Sequence, residues 1–160
     1  MKRLLILLGV IAVMIVLGIW WFSPERVVKR RAKHLMEVLS MSEGAGGPLR
    51  QAKVFSMNGL MENRIKISAP DIDDANGSFD KQEVESAFSW ICRNAKSSDF
   101  RIVDYDVVEV EGDEARTIIS VDGYMELPGY RPADGSFKVT IDWQKAEDGW
   151  RFYSVVWENS

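Results

Sequence analysis

The last third of the chain, from Asp99 to Glu158, carries the strongest constraint on the fold: apolar and polar residues alternate there with a period of two. In one run, Ala115, Thr117, Ile119, Val121, Met125 and Leu127 alternate with Glu114, Arg116, Ser120, Asp122 and Glu126. In the next, Phe137, Val139, Ile141 and Trp143 alternate with Lys138, Thr140, Asp142 and Gln144. Such alternation places one set on a buried face and the other towards water. Gly112-Asp113 and Asp148-Gly149 sit between runs, where a hairpin needs residues that accept positive φ. The pattern predicts a four-stranded antiparallel meander, with the preceding helices packed on one face.

Charge narrows the function classes. Residues 1–42 hold seven Lys/Arg and two Glu, a net +5, whereas residues 43–160 hold thirteen Lys/Arg and twenty-two Asp/Glu, a net −9. An acidic folded part argues against nucleic acid as the partner, because phosphate binding needs a basic face. The single cysteine excludes an internal disulfide. No metal-ligand spacing and no cofactor motif occurs, so neither a metal nor a cofactor is expected. The acidic stretch Asp71–Gly77 fails the EF-hand register: position 5 is Ala75, position 6 Asn76 and position 12 Gln82.

Leu4 to Phe22 is uncharged and follows Lys2-Arg3. As a helix it would span about 28 Å, close to a bilayer's hydrocarbon thickness. A cleavable signal peptide is the competing reading, but Ile19-Trp20-Trp21-Phe22 lacks the small residues of a cleavage region. The expectation is therefore a single-pass transmembrane anchor over 1–23 and a separate domain over 24–160. Trp20, Trp21, Arg26, Lys29, Arg30 and Lys33 would lie at the membrane interface and contact lipid. Basic residues on both sides of the span leave orientation contested; an extracytoplasmic domain is the expected side.

Ser23-Pro24-Glu25 opens a helix, and Val28, Ala32, Leu35 and Leu39 continue it at helical spacing. Gly44 to Pro48 breaks it. A short helix follows over 49–57, then a short strand over 63–68. Asp80 and Glu83 form a capping-box pattern ahead of Val84, Ala87, Phe88, Ile91, Cys92 and Ala95. Cys92 reads as a small core residue, and His34 as a surface histidine.

In that order, the elements resemble the nuclear-transport-factor-2-like superfamily, a cystatin-like α+β cone. The residues that carry the resemblance are Phe79 to Ala95, feeding into the meander, and the close from Trp143 through Asp148-Gly149 to Trp150-Arg151-Phe152. The resemblance covers about residues 24–158. It implies an α+β fold in which helices pack on a curved four- to five-stranded antiparallel sheet. Membrane-anchored members of the superfamily include assembly factors, and its enzymes include isomerases, dehydratases and cyclases that act inside the cone.

Catalysis there needs an acid or base tuned by burial, and the only candidates are Asp104 and Asp106. They lie where apolar residues occupy both parities, a pattern that a bulge near Val107-Val108 would explain. Phe88, Trp90, Tyr105, Phe137, Trp143, Trp150 and Phe152 are candidate lining for a small apolar ligand, or simply core. In the last strand Trp150, Phe152 and Val156 occupy one parity and Tyr153, Val155 and Trp157 the other, which suggests a second covered side. Tyr153, Val155 and Trp157 are accordingly candidates for self-association as a homodimer or with an envelope protein. The expected function is a membrane-anchored, non-catalytic interaction or ligand-binding module; the alternative is an isomerase- or cyclase-type enzyme using a buried Asp.

Overall fold

The computed structural model describes residues 2–21, 23–69, 75–129 and 131–160, with the side chains of 2–8 and 19–21 outside that description. The elements run α1 (Lys2–Trp21), α2 (Pro24–Leu39), α3 (Gly47–Leu60), β1 (Met61–Ser68), β2 (Gly77–Asp80), α4 (Lys81–Asn94), β3 (Ser97–Glu111), β4 (Glu114–Glu126), β5 (Ala133–Ala146) and β6 (Gly149–Asn159). Residues 71–74 of the acidic stretch lie outside the described residues.

The expected meander is β3 to β6, each strand antiparallel to the next. The sheet is larger than expected, with six strands in the order β2-β1-β6-β5-β4-β3. It is also mixed, because β1 lies parallel to β6. Neither feature is readable locally. β2 is too short to show alternation, and a parallel neighbour is chosen by the path of the intervening chain.

β4 and β5 turn the expected residues inward: Ala115, Thr117, Ile119, Val121, Val139, Ile141 and Trp143 are buried. β3 and β6 change parity along their length. In β6, Phe152 pairs with Trp143 but Ser154 pairs with Asp142, so Tyr153 is an extra residue. Phe152 faces inward before this bulge, and Val155 and Trp157 face inward after it, opposite Ile141 and Val139. A bulge therefore accounts for the mixed parity of β6, and a second covering subunit is not required. In β3 the register shifts between Ile102 and Asp104 and again between Tyr105 and Val107. The second shift falls beside the expected position.

Three helices cover the inner face. α2 buries Val28, Ala32, Leu35 and Met36; α3 buries Val54, Met57 and Leu60; α4 buries Phe88 and Cys92. The α4 start is the expected capping box, with the Glu83 carboxylate accepting the Asp80 N–H at 2.8 Å. Ser23 does not cap α2 through its side chain; its carbonyl accepts the Arg26 and Val27 N–H groups instead. Trp143 is at the centre, 0% exposed, with Nε1–H donating to Thr117 Oγ1 at 3.0 Å and its ring edge-on to Phe152. Arg50 locks α3 to α4 by donating to the carbonyls of Ala45, Cys92 and Ala95.

The expected localisation is corrected. Among the described residues no helix is long and apolar enough to cross a membrane. The single-pass, extracytoplasmic placement is therefore not retained, nor is lipid anchoring through α1. Val10, Ile11 and Val13 to Leu17 are exposed on that helix.

Candidate functional site: the groove between α2 and β3

α2 lies along β3 and is tied to it at both ends. At its C-terminal end Met41 and Ser98 exchange backbone bonds of 2.7 and 2.9 Å. The Ser40 hydroxyl accepts the Phe100 N–H at 2.8 Å, and Ser98 Oγ donates to the Leu39 carbonyl at 2.6 Å. At the other end Tyr105 OH donates to the Lys29 carbonyl at 3.2 Å, and Lys29 Nζ stands 5.2 Å from the Tyr105 ring centre. Burial, and then the Glu37 carboxylate, push the Tyr105 phenol up, so it stays a neutral donor around pH 7.

Between these ties lies an open groove of about 570 Å³. Met36, Phe100, Ile102 and Tyr105 give it an apolar floor, while Lys33 and Glu37 stand on the helix side. Lys33 and Glu37 are 3.8 Å apart and both more than half exposed, a geometry that contributes little to stability. His34 is also exposed, 3.7 Å from Glu37.

Of the seven aromatic candidates, Tyr105 lines this groove. Phe88, Trp143, Trp150 and Phe152 are core, Phe137 is half-buried at its margin, and Trp90 is 47% exposed on α4. Asp104 and Asp106 belong to the outward-facing set of the sheet, with Asp104 at the rim of the α2–β3 groove. Asp104 pairs with Ser120 across the strands and accepts the Tyr105 N–H at 2.8 Å. Asp106 accepts the Ser120 hydroxyl at 2.9 Å and stands 3.6 Å from Lys138 Nζ. The bulge that was to turn an aspartate inward turns Asp106 outward.

The self-association candidates divide between faces. Trp157 packs edge-on against Phe100 and Phe137 on the inner side, and Val155 is buried there. Tyr153 lines a smaller outer groove with Glu109, Glu111, Glu114, Arg116 and Asp142. Burial first, then Asp142 and Glu114, push its phenol up. Of the interface candidates, Lys29 and Lys33 flank the α2–β3 groove. Arg26 and Arg30 sit on the same helix, and the side chains of Trp20 and Trp21 are outside the described residues. Met36, Ser40, Phe100 and Ile102 were not singled out in the sequence, because they join only when α2 lies on β3.

Cys92 is 1% exposed, and burial pushes its thiol up against the opposing pull of Arg50 and Lys53. The native thiol is expected to resist a maleimide reagent at pH 7.5, reacting only on unfolding. Rapid modification of the native chain, followed by mass spectrometry, would contradict this burial. The raised value also sets a pH dependence. Below the thiol's ordinary range both states are protonated and the group contributes nothing; above it the unfolded chain ionises first, so stability falls as pH rises.

No family model matches the chain, and no curated protein matches it. Solved structures do. A proposed dehydratase of the NTF2-like family from Streptomyces avermitilis superposes with a TM-score of 0.63 at 14% identity, covering 84% of this chain and 94% of that one. An NTF2-like protein from Cytophaga hutchinsonii gives 0.64 at 13% identity, covering 87% and 100%. The S. rosetta CaMKII hub gives 0.62 at 12% identity, covering 86% and 98%. Likeness at this level of identity speaks to the fold, and the fold is the α+β architecture of the nuclear-transport-factor-2-like proteins.

Proposed function

We propose that residues 24–160 act as one domain, a non-catalytic binding module whose ligand lies in the α2–β3 groove with an apolar face on Met36, Phe100, Ile102 and Tyr105. The observation that carries this reading is an open groove of about 570 Å³, a size within the usual range for small-ligand sites. Its walls, α2 and β3, are tied to each other by hydrogen bonds at both ends. The burial of Trp143 and Phe88 in the core favours this groove over the interior of the cone. The enzyme alternative needs Asp104 or Asp106 inside the cone, and their place on the outer face gives it no support. The dehydratase and hub neighbours are consistent with binding or assembly on this fold and favour neither.

The test is residue-resolved. Indole and octanoate, titrated separately into the isotopically labelled full chain, are expected to shift the amide signals of Met36, Phe100, Ile102 and Tyr105. Shifts centred on Phe88 and Trp143 would move the site into the cone, and no shift in either region would sink the reading.

A further inference from the structure

We infer that the groove's ligand is a short extended peptide carrying an acidic residue, held by strand addition at Ile102. This rests on the groove being the binding surface. β3 is an edge strand, so each residue whose backbone turns away from β4 needs a partner outside the sheet. The chain supplies those partners at both ends of the groove. Ser98 exchanges bonds with Met41, Phe100 N–H donates to Ser40 Oγ, and Tyr105 N–H donates to the Asp104 carboxylate.

Ile102 belongs to the same outward-turned set. Its cross-strand partner, Val121, lies two residues from Gly123, the partner of Phe100, and two from Ile119, the partner of Tyr105. Its N–H and C=O therefore open towards the groove between two filled positions. A guest strand laid there would follow the edge on which Met41 already sits.

The bulges select the occupant. With extra residues at Val103 and Asp106, the edge bends on the far side of Ile102, so long pairing with the β3 of a second copy is broken while a few residues still fit. On the helix side, Lys29 and Lys33 offer exposed ammonium groups, and among the described residues Lys33 has only the 3.8 Å contact to Glu37. Asp99, Arg101 and Asp104 border the groove from the outward-facing set of β3 side chains. A residue pointing down meets the apolar floor, and one two positions away meets the lysines. The guest pattern is apolar-x-acidic.

A library of short random peptides displayed on phage, selected against the full chain, tests this. The expected result is enrichment of apolar-x-acidic sequences. Methylating the peptide nitrogen that pairs with the Ile102 carbonyl should weaken a selected peptide about tenfold, the worth of one hydrogen bond. Ile102→Pro, which removes an outward N–H without breaking the ladder, should abolish binding. Ile102→Val should retain it, and Lys33→Glu should weaken it. The methylated peptide keeps the test valid if Ile102→Pro does not fold. No enrichment over an unrelated protein, or equal affinity for methylated and unmethylated peptide, overturns the inference. If indole and octanoate still shift the groove amides while no peptide binds, strand addition falls and the groove reading stands. If nothing binds, both fall.

Discussion

Replacing Trp143 with alanine is expected to lower the unfolding free energy by about 3–5 kcal/mol, the usual cost of deleting a large buried ring. Trp143 is fully buried, its ring meets Phe152 edge-on, and its Nε1–H is held by Thr117. The substitution removes the ring and leaves the buried Thr117 hydroxyl without its donor. A domain of this size has about 5–15 kcal/mol in total, so the variant should be partly unfolded well below the parent's midpoint. Trp143→Phe keeps a six-membered ring but loses the N–H and part of the indole volume, and should fall between parent and alanine variant. Urea titration followed by far-ultraviolet circular dichroism measures all three. A loss under about 1 kcal/mol for the alanine variant would mean that Trp143 borders open space. The interior of the cone, and not the α2–β3 groove, would then be the place to look for a ligand.

The second large effect is expected at Arg50. Its guanidinium donates to three carbonyls: Ala45 at the turn before α3, and Cys92 and Ala95 at the end of α4. The last carbonyls of a helix have no partner within it; the Ala95 N–H and the Asn94 amide take those of Ile91 and Trp90, and Arg50 takes the Cys92 and Ala95 carbonyls that follow and fixes the α3–α4 crossing. Arg50→Ala should cost about 2–3 kcal/mol, in the range for charge-assisted bonds to partly buried groups. Arg50→Lys should recover little, because one ammonium group cannot reproduce the fork that reaches all three carbonyls. Lys53→Ala, which removes an exposed contact to the Glu37 carbonyl, is the control and should change stability by less than about 0.5 kcal/mol. Equal effects at Arg50 and Lys53 would show that the three carbonyls are satisfied by water as readily as by the guanidinium.

What the sequence could and could not determine divides along a physical line. Alternation with period two is a local property, so the inward faces of β4 and β5 were legible in Ala115 to Val121 and Val139 to Trp143. Capping chemistry is also local, and Asp80-to-Glu83 marked the start of α4 correctly. Cys92 read as core and is core. The expected membrane placement came from composition along Leu4–Phe22, and the described part of α1 does not bear it out.

The strands with mixed parity could not be resolved in one dimension. An extra residue at Tyr153 in β6, and two in β3, move the apolar set from one parity to the other. A second covered face would leave the same trace in the sequence. Which of these holds depends on which residues the neighbouring strands bring opposite, and that is a tertiary choice. The same bulges carry Asp104 and Asp106 to the outer face. The groove is tertiary for the same reason: Lys33 and Met36 lie far along the chain from Phe100 and Ile102, and only the packing of α2 on the edge of the sheet makes them neighbours.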